Sequence, residues 1–108
     1  MLRFDMIAMF EDEETRRIMR TVVMKPGTHV NELIRSAHVV QNSFYPRIAS
    51  LLKQGLLIEK KELNRRQFYP TKKGYRATYE DGTRQGREFL EFLKETAYGK
   101  QLLEATDW

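Results

Sequence analysis

QNSFYPRIASLLKQGLLIEKKELNRRQFYP, residues 41–70, changes its hydrophobic period partway along. In the first part Phe44, Ile48, Leu51 and Leu52 recur at helical spacing and fall on one side of a helix. Asn42 or Ser43 caps this helix, Pro46 fits its first turn and Gly55 ends it, so it spans about 42–54. Leu56, Leu57 and Ile58 then read as a buried strand, with Glu59 to Glu62 as its exposed continuation. Leu63-Asn64-Arg65 is a turn in which Asn64 tolerates a positive φ. Gln67, Phe68 and Tyr69 return as a second strand and close a hairpin over about 56–70.

Working outward, THVNELIRSA begins a shorter helix at Thr28 or His29, with Val30, Leu33, Ile34 and Ala37 on its buried face. His38-Val39-Val40 breaks the chain between the two helices. Upstream, DEETRRIMRTVVM starts at Asp12, a good N-cap, with Glu13 and Glu14 in the first turn, where the helix dipole favours acids. Ile18, Met19, Val22 and Val23 share one face, Lys25 lies in the last turn, and Pro26-Gly27 stops the helix. Residues 1–10 read either as a short helical stripe of Phe4, Ile7, Ala8 and Phe10 or as extended chain.

Downstream, Thr71 caps TKKGYRATYE, which ends at Asp81-Gly82. The tail carries an apolar stripe of Phe89, Phe92, Leu93, Leu102 and Leu103, weakened at Gly99, where it kinks or divides. The order defines an α+β, mainly α fold class. It is a winged helix-turn-helix with a two-stranded β wing and an additional C-terminal helix or helices. One domain over 1–108 is expected, with its core at about 11–76 and a dimerisation region at 77–108.

A chain of 108 residues, 41% hydrophobic and 31% charged, has the balance of a soluble globular domain. It has no cysteine, which excludes disulfides, thiolate metal sites and cysteine nucleophiles. His29 and His38 are isolated, so surface or capping roles are expected of them and no metal or cofactor is expected. No glycine-rich phosphate loop, HExxH or GxSxG is present, and no enzyme is expected. No apolar run approaches the roughly 20 residues of a membrane span, and MLRFDMIAMF lacks a signal-peptide pattern. The expectation is a cytoplasmic, nucleoid-associated protein.

The net charge of +4 is unevenly spread: +1 over residues 1–52, +6 over 53–76 and −3 over 77–108. The middle segment is the hairpin and its exit. Such a local excess attracts phosphate, although it also fits a solvated hairpin without a partner. On the third helix the direction opposite the core holds Asn42, Ser43, Pro46, Ser50 and Lys53. Arg47 and Ala49 lie on the flanks and Tyr45 nearer the core edge. Small residues admit a helix to a groove. Asn42 suits a bidentate pair with adenine, Arg47 one with guanine or a phosphate contact, and Lys53 the DNA backbone. An ordinary polar surface helix remains the alternative. In the hairpin, Arg65 and Arg66 face Lys60 and Lys61, and only one of each pair points outward. Arg65, in the turn, is the expected phosphate or minor-groove contact. Of Phe68 and Tyr69, one is expected to pack on the third helix and the other to shield the hairpin.

Taken together, EDEETRRIMRTVVMKPGTHVNELIRSA, SFYPRIASLLKQGLLIEKK and RRQFYPTKKG resemble, over about residues 10–76, a winged-helix transcriptional regulator of the arsenical-repressor or multiple-antibiotic-resistance (ArsR/MarR-like) type. The resemblance implies a dimer joined through terminal helices that binds palindromic duplex DNA, with the third helix in the major groove. By that analogy Asn42, Ser43, Tyr45, Arg47, Arg65 and Arg66 contact DNA. The residue reading adds Ser50, Lys53 and Lys60 to that set. Metal-sensing members use cysteine-rich or clustered-histidine sites, which this sequence lacks. The expected function is a sequence-specific, dimeric regulator binding double-stranded DNA, with Phe89, Phe92, Leu93, Leu102 and Leu103, Trp108 and the N-terminal segment at the dimer interface. The alternative is a winged-helix architectural chromatin protein or interaction module without sequence-specific binding.

Overall fold

A computed structural model describes residues 7–105. Phe4 and Trp108 lie outside that range. The elements are α1 (Glu13–Met24), β1 (Thr28–His29), α2 (Val30–Ala37), α3 (Gln41–Lys53), β2 (Leu57–Glu62), β3 (Arg65–Pro70), α4 (Lys72–Glu80), α5 (Arg84–Glu95) and α6 (Ala97–Ala105).

α1 begins as its sequence predicts. The Asp12 carboxylate accepts the Thr15 N–H at 2.8 Å, and Ile18, Met19, Val22 and Val23 are completely buried. α2 ends where His38 turns left-handed at φ 56. Arg17 of α1 donates to the carbonyls of Ala37 (2.8 Å) and His38 (3.2 Å), placing a cation at the negative end of α2 and joining the two helices. Phe44, Ile48 and Leu51 of α3 pack beside them, with Leu57, Phe68 and Ala77, in one apolar core.

Three local expectations change. First, α3 begins at Gln41, after Val40, which offers no side-chain cap. The extended Val40 already gives its carbonyl to the N–H groups of Ser43 and Phe44, so Asn42 and Ser43 sit inside the first turn. Pro46 is then interior to the helix and gives no N–H to the Asn42 carbonyl. Second, the sheet has three strands in the order β1-β3-β2, all antiparallel. Thr28 and His29 pair with Phe68 and Gln67, because the Gly27 N–H, donating to the Phe68 carbonyl at 2.8 Å, brings the chain alongside β3.

Third, the tail divides at Thr96 and not at Gly99. Thr96 accepts the Gly99 N–H at 2.9 Å and starts α6. A β-carbon on Gly99 would stand 2.1 Å from the Leu93 carbonyl oxygen, so glycine there permits a close helix contact. The same Thr-x-x-Gly start opens α4 (Thr71, Gly74) and α5 (Thr83, Gly86). Asp81, read from sequence as a helix stop, is buried against Arg16 of α1, with Nε to Oδ2 at 2.5 Å. It also accepts from Thr83 Oγ1 at 3.1 Å, so it ties α1 to the α4–α5 junction.

Candidate nucleic-acid interface

α3 is seated from both ends of the core. The Phe44 ring meets Phe68 edge-on at 6.4 Å. At its exit the carbonyls of Gln54 and Gly55 accept from Lys73 Nζ (2.9 Å) and Thr71 Oγ1 (2.5 Å) of the α4 start. The side left in water carries Gln41, Asn42, Tyr45, Pro46, Ala49 and Lys53. Asn42 and Lys53 lie where helical periodicity expects them. Tyr45 is 39% exposed, and its ring stands against Phe44 at 5.3 Å.

One flank behaves differently. Ser43, Arg47 and Ser50 each meet an acid from the run that leads into α1. Ser43 Oγ donates to Glu14 at 2.6 Å, and Ser50 Oγ to Glu11 at 3.4 Å. Arg47 donates through Nη2 and Nε to both Asp12 oxygens, at 2.9 and 3.3 Å, and through Nη1 to the Ser43 carbonyl at 3.1 Å. Glu14 lies 3.5 Å from Arg47 Nη2. Burial opposes the Asp12 charge, but the Thr15 N–H and the Arg47 guanidinium outweigh it and hold the carboxyl at about 2. The hydrogen bond to Asp12 raises Arg47 from its ordinary value. Three residues expected to face a groove are thus engaged by the protein's own carboxylates.

The hairpin sorts its cations by strand alternation. Arg66 shares a face with Phe68. It forms a two-pronged pair with Glu59, both bonds 2.9 Å, and stacks over Phe68 at 5.4 Å. Its hydrogen bonds lower Glu59 below the usual carboxylate range. Arg65 lies on the opposite face and is exposed, its Nη1 3.5 Å from His29 Nε2. Lys60 shares that face and sits over the Tyr69 ring at 5.1 Å. Phe68 is completely buried and Tyr69 partly so, which divides the two aromatic roles as expected. Between the hairpin and the α2–α3 pair lies a cleft of about 390 Å³ lined by His29, Glu32, Arg35, Tyr45, Arg65 and Arg66 among others. Among the described residues, no three His, Cys, Asp or Glu side chains converge as a metal site would require.

The sequence matches no protein-family model and no curated protein. Solved structures do resemble it. The PcaV transcriptional regulator from Streptomyces coelicolor, in complex with its natural ligand, superposes with a TM-score of 0.68 at 19% identity, over 91% of this chain and 72% of that one. The fold is a winged helix. A MarR-family transcriptional regulator from Silicibacter pomeroyi gives a TM-score of 0.64 at 19% identity, over 88% and 66% of the two chains. Sso10a-2, a DNA-binding protein from Sulfolobus solfataricus, gives 0.52 at 20% identity, over 87% and 96%. In this winged helix α2–α3 is the helix-turn-helix, β2–β3 the wing, and α5–α6 an added arm.

The arm divides the expected apolar stripe. Leu93 is completely buried and turned inward, and Leu102 and Phe89 pack partly buried against the core. Leu103 is half-buried. Phe92 is 48% exposed, stacked on Phe89 at 6.2 Å. Sequence reasoning did not find the acid run at Glu11, Asp12 and Glu14 as a partner of α3. Those carboxylates signal a helix start, and that local role hides the long-range one. No helix among the described residues is long and apolar enough to cross a membrane.

Proposed function

We propose that this chain is a sequence-specific, double-stranded-DNA-binding transcriptional regulator that acts as a dimer on chromosomal DNA in the cytoplasm. The observation that carries this reading is the exposed α3 strip set beside a wing whose Arg65 and Lys60 face outward, within a segment of net charge +6. α3 enters the major groove and the wing lies on the flanking backbone or minor groove. Asn42, Tyr45 and Lys53 of α3, with Arg65 and Lys60 of the wing, make the contacts. Ser43, Arg47, Ser50 and Arg66 hold those elements in position through Glu14, Asp12, Glu11 and Glu59. The described regulators and DNA-binding protein of the same fold support the reading. Residues 1–108 form one domain, and 77–108 supply the dimer contact through Phe92 and Leu103.

A second reading is DNA binding without sequence preference, as an architectural protein. The short list of polar groups on the exposed α3 strip favours it, since Asn42, Tyr45 and Lys53 offer little base readout. Selection from a random duplex pool, followed by titration over a salt series, separates the two. The Asn42→Ala variant should lose about 1–3 kcal/mol on the selected site and relax preference at one base pair. Arg65→Ala should weaken binding to every duplex and reduce the salt slope by about one. If the pool yields no enriched sequence while the steep salt dependence persists, the architectural reading replaces the first.

A further inference from the structure

Leu63 stands at the tip of the wing, 94% exposed, with φ 51, and Asn64 follows with φ 63. Two successive left-handed residues form the tight turn that suits strand twist, and such turns favour Asn, Asp or Gly because a side chain is crowded there. Leucine suits neither the backbone geometry nor the surrounding water. An asparagine at 63 would remove both penalties, so the fold of the hairpin does not ask for this side chain. A strained, exposed apolar residue points to a contact made only in a complex. Its surroundings specify the partner: Arg65 lies two positions on, and Lys60 and Lys61 are exposed on the strand that leads into the turn, with Glu62 the one acid beside it. An apolar tip among cations fits a surface with apolar walls between rows of phosphate.

We propose that Leu63 seats in the minor groove of duplex DNA while Arg65 and Lys60 hold the bordering phosphates, an inference that rests on the DNA-binding reading above. The minor-groove floor of an A·T pair has no projecting group, whereas a G·C pair carries the guanine 2-amino group there. Apolar side chains, leucine among them, are known to enter minor grooves, where they can also wedge between base steps. Leu63 therefore discriminates by excluded volume and adds sequence preference that α3 alone supplies sparingly.

The test uses the full chain, the variants Leu63→Asn, Leu63→Met and Arg65→Ala, and three duplexes. The duplexes differ only at the step facing the wing, located by hydroxyl-radical footprinting, and carry A·T, G·C or inosine·C there. Inosine lacks the 2-amino group. Wild type should bind A·T and inosine·C more tightly than G·C. Leu63→Asn should melt about 2–5 °C higher, because the turn is relieved. The same variant should bind the A·T duplex about fivefold to twentyfold more weakly and lose the preference. Leu63→Met, still apolar, should retain the preference. Leu63→Asn binding all three duplexes like wild type, while Arg65→Ala is weakened, overturns this inference and leaves the DNA reading standing. A change in sedimentation of Leu63→Asn without DNA would assign the tip to a second copy and overturn it too. If wild type binds none of the duplexes at any salt, the DNA reading falls and this inference with it.

Discussion

Asp12 serves two elements with one carboxylate: it caps α1 through the Thr15 N–H and grips Arg47 of α3. Those bonds, working against partial burial, hold its carboxyl at about 2 where 3.8 is ordinary. A carboxyl depressed in the folded state stabilises the fold at every pH above its unfolded value and loses that contribution as the pH falls toward 2. Asp12→Asn keeps a capping oxygen and removes the charge. Its urea midpoint should lie below that of wild type near neutral pH, and the gap should close between about pH 4 and pH 2. A gap that stays constant through that window would show that the charge contributes nothing. At this scale the sequence is informative about direction and silent about partners. Periodicity is enough to place Asn42 and Lys53 outward, because a helix fixes where each residue points. It cannot show that Arg47 is met by a carboxylate 35 positions away. Nor can it show that Arg16 finds Asp81 across 65 positions.

Among the elements, helices with strong periods are legible and short or closely packed ones are not. α1 and α3 declare themselves through buried faces, but β1 has two residues, too few to display a period of two. Gly99 illustrates a subtler failure. A lone glycine in a helical stretch reads as weakness, whereas here it is the seat on which α6 meets the Leu93 backbone. The cue lay in the recurring Thr-x-x-Gly at 71–74, 83–86 and 96–99, where each threonine caps and each glycine allows close approach. Gly99→Ala should therefore lower stability by about 1–3 kcal/mol in chemical denaturation through overpacking. Lys100→Ala, one position along on the exposed side, should change it by less than about 0.5 kcal/mol. Equal effects of the two substitutions would contradict a close α5–α6 contact.

The described residues span 46 × 30 × 22 Å, with a basic wing and an arm whose charges balance. Along α5, Arg84 and Arg87 precede Glu91 and Glu95, with Phe92 exposed between them. An antiparallel second copy of α5 would set opposite charges together around that ring. Phe92→Asp should accordingly turn a dimer into a monomer in sedimentation velocity without lowering the melting temperature by more than a few degrees. A wild-type chain that is already monomeric at tens of micromolar would remove the dimer from the proposed function. α1 gives the whole a further property. Along its length it holds α3 through Asp12, α2 through Arg17, the α4–α5 junction through Arg16, and α6 through the Val23 carbonyl, which accepts from Tyr98 at 2.8 Å. One helix is thus pinned to both the helix-turn-helix and the α5–α6 arm. In the proposed dimer such a body would work as a caliper, its jaw gap set by the length of the helix and not by a pliant joint. A helical turn of DNA, about 34 Å, would then be something the proposed pair gauges and need not bend to meet.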